Sequence, residues 1–205
     1  MIKDRMPPLA AERMTPAQKK AAAELAAGPR GGVRGPFIPL LRSPDLMDRL
    51  QKVGEYLRYQ GSLQTRLSEF VMLIVARQWS QQFEWCVHYP LALKAGLDRG
   101  VADAIAEGHR PHGMADDEQA AYDFCDELFR THGVSDATYR GAVDRFGEQG
   151  VIDMLGLIGY FTTVFTQNFN PTKLLGLIAM LAAMAIALNE MVRRAEVYFG
   201  RWHTD

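Results

Sequence analysis

Apolar residues along this chain recur at helical rather than strand spacing, and the polar punctuation between them is helical as well. Thr15-Pro16 places a capping hydroxyl before a proline at the first helical position, predicting a helix that runs to Gly28-Pro29. Ser43-Pro44 repeats the signal for a segment ending near Gly61, and Ser62 is set to cap the next helix, which carries Glu69 and continues to about Trp79. A weak break at Ser80-Gln81-Gln82 precedes a segment from Phe83 to Gly96, a residue suited to the C′ position. Residues 98–107 read as a short helix ended by Gly108. Asp116 starts another helix to about Thr131, with Tyr122, Cys125, Leu128 and Phe129 along one stripe, and Ser135-Asp136 caps one that stops at Gly147. The chain is then apolar and aromatic from Gln149 to about Asn168, and Thr172 is placed to cap a last helix. Alternating strands with hairpin turn signals are absent. The predicted class is all-α, with residues 1–205 as a single domain.

Within this pattern the run Phe70-Val71-Met72-Leu73-Ile74-Val75-Ala76 leaves the helix around Glu69 almost no solvated face, as in a buried helix. Desolvation at such a position favours the protonated form of a carboxyl group. Downstream, Glu84 and His88 stand at i and i+4, so a helix over 83–96 stacks a carboxylate on an imidazole. A carboxyl group and a histidine in an apolar setting are equipment for general acid–base chemistry. A surface Glu/His pair and a helix-start glutamate fit the same spacing. Pro90 adds a local defect: it leaves the Cys86 carbonyl without its helical partner and predicts a kink one residue past His88. On this reading, one pocket histidine contributes less to stability than the surrounding core.

Composition narrows the function classes. Hydrophobic residues make up 48% of the 205 and charged residues 23%, enough for a sizeable core and against general disorder. The formal net charge of -1 and the absence of a basic run interleaved with aromatics argue against a nucleic-acid partner and for a small-molecule or protein partner. Cys86 and Cys125 are the two cysteines, too far apart in sequence for a CxxC pair or zinc-site spacing, and read as packing residues. The N-terminal residues lack a secretory apolar region, and the apolar run over residues 174–188 is shorter than the roughly 20 residues needed to span a bilayer. These features predict a cytoplasmic protein that does not span a membrane, the apolar run being a buried core or subunit-interface helix, with a peripheral membrane role as the lesser alternative. The Gly/Arg stretch from Gly28 to Phe37 has glycines for sharp turns and two arginines, Arg30 and Arg34, suited to a carboxylate, although an interhelical linker would read the same way. His109 and His112 lack a third ligand at clear spacing and read as solvated, as does His132 at a helix end.

The Leu67-Ser68-Glu69 helix, Ala76-Arg77-Gln78-Trp79, and Phe83-Glu84-Trp85-x-x-His88 running into Ala95-Gly96-Leu97 resemble the carboxymuconolactone decarboxylase-like branch of the AhpD-like superfamily. Gly35-Pro36-Phe37 followed by Leu40-Leu41-Arg42-Ser43-Pro44, then Val134-Ser135-Asp136-Ala137-Thr138 and Gly156-Leu157-Ile158-Gly159-Tyr160, support it in order and spacing. The resemblance covers roughly residues 7–165. It implies an antiparallel helical bundle that assembles as homotrimers or hexamers. In the peroxidase branch a glutamate is followed by a CxxC pair and a histidine. Glu69 and His88 match the outer two, but Gln81 and Glu84 stand where the cysteines fall, so thiol-dependent peroxide reduction is not expected.

By the same resemblance His88 is the proton donor or acceptor, Glu84 its orienting partner and Glu69 a second acid–base group, with Arg34 and Trp85 as substrate contacts. The implied reaction is decarboxylation of a small carboxylated lactone or related carbonyl acid, of the kind met in aromatic-compound catabolism. The lactone carbonyl is the electron sink, so no metal or organic cofactor is required. Two other classes stand beside this one: a divalent-cation protein using Glu69, Glu84 and His88 as ligands, and a non-enzymatic assembly subunit. Residues 166–205 depart from the family pattern.

Overall fold

The computed structural model describes residues 6–164, all within the first of the two units, Met1–Gln167 and Asn168–Asp205, into which the chain divides. The expectations for Thr172 and for the apolar run 174–188 fall outside the described residues. Among the latter, every regular element is a helix, and no helix is long and apolar enough to cross a membrane.

A short 3-10 turn, Ala11–Arg13, precedes α1 (Pro16–Ala27), whose start is a complete capping box: the Gln18 amide donates to Thr15 Oγ1 at 3.3 Å and the Thr15 amide to Gln18 Oε1 at 3.0 Å. The residues it buries, Ala21 and Leu25, lie one turn apart and form a small cluster with Phe37 of α2 (Phe37–Leu40), Leu41 and Met47 of α3 (Pro44–Tyr59). Ser43 occupies the position before α3, but its hydroxyl makes no cap bond.

The main core is built around α4 (Thr65–Gln78), in which every residue from Leu67 to Ala76 is buried. It packs against α3, α5 (Gln82–Lys94), α6 (Arg99–Glu107), α7 (Asp116–Thr131) and α8 (Asp136–Val164). Ser62 does not cap α4, which begins at Thr65 behind Gln64. Its amide and its hydroxyl both donate instead to Asp153 Oδ2, each at 2.7 Å, which ties the α3–α4 turn to α8. A distant carboxylate outcompetes the local cap because it accepts from both donors at once.

The break between α4 and α5 turns on Ser80, at φ 54°, and on the Gln81 amide donating to Ala76 O at 2.8 Å, which folds α5 back along α4. α5 continues through Pro90 to Lys94 and ends at Ala95-Gly96, with Gly96 at φ 97°. Asp98 caps α6 through the Val101 amide at 3.1 Å, and Gly108, left-handed at φ 79°, stops it. Arg66 of α4 clamps the start of α7 by ion pairs to Asp117, at 2.6 Å, and to the buried Glu118. The stripe that α7 buries is centred on Ala121, Phe124 and Cys125, while Tyr122, Leu128 and Phe129 lie partly buried beside it. Gly147, at φ 69° and ψ 171°, interrupts α8 where the sequence predicts a helix end. The part beyond it buries Val151, Met154, Leu157, Ile158, Tyr160 and Phe161.

Candidate functional site

α5 buries Glu84, His88 and Ala92, one stripe at i, i+4 and i+8, against the buried α4. The short Ser80-Gln81 link brings that stripe alongside Glu69. His88 Nδ1 lies 2.6 Å from Glu69 Oε2, and His88 Nε2 lies 3.3 Å from Glu84 Oε2. All three are withdrawn from solvent, at 1% exposure for His88, 3% for Glu84 and 4% for Glu69. Phe161 of α8 closes the ring edge-on, its centroid 5.2 Å away at 83°.

The sequence pairs His88 with Glu84 because they share a helix, but the shorter contact is to Glu69, across the α4–α5 packing. The contact to Glu84 is the looser of the two. Burial pushes the His88 imidazole toward its neutral form. The hydrogen bonds to Glu69 and Glu84 and the charge of Glu69 push the other way and prevail over burial and the nearby Arg58, so its pKa is raised above the usual 6.5. The centre of the site is the His88 ring held between two buried carboxyl groups.

That arrangement does not suit a metal ion. Glu69 and Glu84 meet opposite nitrogens of one ring, so they cannot gather with a single nitrogen around one cation. Among the described residues no group of three or more His, Cys, Asp or Glu side chains is placed to hold one.

Further residues join the site without a local sequence signal. Arg58 of α3 places Nη2 3.9 Å from Glu69 Oε1. Tyr160 of α8 accepts from Arg30 Nη2 at 3.4 Å, and burial raises its phenol pKa. Gly54 of α3 makes room for that contact: a Cβ there would collide with the Tyr160 hydroxyl and stand 2.7 Å from Arg30 Nη2. Of the two arginines in the glycine-rich stretch, Arg30 thus turns inward, lying also 4.6 Å over the Phe37 ring. Arg34 is exposed and has no hydrogen bond or ion pair among the described residues. Trp85 is half-buried and packs on Tyr89, ring centroids 5.8 Å apart.

Several buried polar atoms have no hydrogen-bond partner among the described residues, Glu84 Oε1, Arg58 Nε, Gln81 Oε1 and Thr162 Oγ1 among them. Gln81 is anchored to α8 by its other end, Nε2 to Phe161 O at 3.4 Å. Two surface clefts lie elsewhere. One of about 420 Å³ runs between α7 and the first part of α8, and one of about 140 Å³ lies among α4, α6 and α7. No triad residue lines either. Cys125 is fully buried, which pushes its thiol up to about 12, while Cys86 is exposed on α5. No protein-family model matches the chain, and no curated protein matches it significantly.

Proposed function

We propose that this chain is a cofactor-free lyase of the carboxymuconolactone decarboxylase type, with an AhpD-like bundle, acting by acid–base chemistry on a small carboxylated lactone or related carbonyl acid. The observation that carries the reading is the His88 ring held between the buried carboxyl groups of Glu69 and Glu84, which raise its pKa. Glu69, at the shorter contact, orients the ring and stabilises its charge. The longer Nε2 contact to Glu84 is the one a substrate opens. Loss of CO2 leaves its electron pair delocalised onto the lactone carbonyl, and the His88 Nε2 proton goes to carbon. Glu84, whose Oε1 has no partner, then relays a proton from solvent back to the neutral ring. The residues resemble those of a family that assembles as trimers or hexamers, and an oligomer and a cytoplasmic location are part of the proposal.

Turnover of a panel of lactone acids by wild type and Glu84→Gln tests this. The amide keeps the shape but cannot relay the proton, so turnover should fall roughly 10²-fold with the fold intact. An accepted substrate on which Glu84→Gln is as fast as wild type would refute it. One observation favours the assembly-subunit reading: the triad is almost closed to solvent and lines neither surface cleft. On that reading no lactone acid is turned over and the triad serves only to lock α4 to α5.

A further inference from the structure

A guanidinium carries five N–H donors in a planar fork. Arg58 uses none of them in a hydrogen bond among the described residues. Its one ionic neighbour, Glu69 Oε1 at 3.9 Å, is beyond hydrogen-bond reach, and the other oxygen of Glu69 is taken by His88. Its Nε is buried without a partner, and only 13% of the side chain is exposed. A guanidinium so withdrawn from water normally has its donors occupied. What fits a free fork is a planar acceptor with two oxygens.

The surroundings indicate where such an acceptor would lie. Tyr160, whose hydroxyl accepts from Arg30, lies against Phe161, the ring that packs edge-on to His88. Gly54, one turn before Arg58 on α3, keeps the backbone clear of the Tyr160 hydroxyl. Arg58 also leans over Tyr59, 5.1 Å from the guanidinium carbon to the ring centroid, and Tyr59 is 54% exposed. The arginine therefore connects solvent with the triad.

We propose that Arg58 binds the carboxylate of a small carboxylic acid beside Glu69 and His88. The class of ligand rests on the lyase reading, while the site rests on the unsatisfied fork.

The probe is the saturated lactone acid 5-oxotetrahydrofuran-2-carboxylate, compared with its methyl ester, titrated calorimetrically into the full chain. Wild type should bind the acid more tightly than the ester. Arg58→Gln should weaken the acid by roughly tenfold or more and leave the ester unchanged, with Arg58→Lys in between. The proposal is overturned if wild type does not bind the acid saturably, if it treats acid and ester alike, or if Arg58→Gln binds the acid as wild type does. Should Arg58→Gln fail to fold, Arg58→Lys decides, since a point charge cannot replace the fork: acid affinity equal to wild type overturns the proposal. The two readings fail separately. Turnover of lactone acids with binding indifferent to Arg58 removes this inference and leaves the lyase. Arg58-dependent binding without turnover removes the lyase and leaves the binding site.

Discussion

His88 has a structural as well as a chemical role, because its ring is the partner of two buried carboxylates. His88→Ala removes that shared partner and leaves Glu69 and Glu84 facing each other in an apolar interior. Stability should therefore fall by about 3–5 kcal/mol, the usual penalty for breaking a buried charged pair. This expected outcome runs against the sequence-based expectation that one pocket histidine contributes less to stability than the surrounding core, and thermal midpoints of His88→Ala decide between the two. The pH dependence follows the same logic. A folded-state pKa raised above 6.5 means that the imidazolium stabilises the fold fully below about pH 6.5, and that this contribution is lost as pH rises through the folded value. Thermal midpoints measured across that window should decline for wild type, with a flatter profile for His88→Gln. Parallel profiles would show that the ring is uncharged in the folded protein.

Helix boundaries in this chain are set by short polar contacts and by a few glycines whose backbone other residues resist. Gly147 is the test case. At φ 69° it separates the two parts of α8, and a Cβ there would meet nothing within 4 Å. Any loss of stability in Gly147→Ala is thus backbone strain rather than collision, and about 1–3 kcal/mol is expected, because this φ, ψ region is essentially confined to glycine. Chemical denaturation of the variant measures it. A stability equal to wild type would mean that the two parts of α8 can join as one straight helix. Ser62 shows the opposite case, a good local capping residue diverted by a tertiary partner, Asp153. Nothing within a few residues of Ser62 announces that diversion.

At the scale of the molecule, α3 and α8 present large apolar side chains to the outside. Leu46, Val53 and Tyr59 on α3 and Ile152 on α8 are each about half exposed or more, and the Tyr56 hydroxyl donating to Asp153 at 3.3 Å holds the two helices side by side. The homo-oligomer of the proposed function would cover part of this face. Light scattering should give a mass of three or six chains for wild type, shifting to smaller species when Val53 and Ile152 are replaced together by Lys. A monomeric wild type would remove the oligomer from the proposal.

The sequence alone determined the all-helical class, most helix starts and stops, the break at Gly147 and the i, i+4 stacking of Glu84 on His88. These follow from contacts within a turn or two, where spacing and capping chemistry act directly. It also marked Glu69 as buried, since an apolar run leaves a helix no wet face. Only the tertiary structure decided that Glu69 rather than Glu84 makes the closer contact to the ring and that the carboxylates take opposite nitrogens. It likewise turned Arg30 inward and left Arg34 exposed, and it brought Arg58 and Tyr160 to the triad from α3 and α8. Those relations join residues far apart in the chain. They depend on how α3, α5 and α8 pack around α4, which no local pattern of side chains encodes.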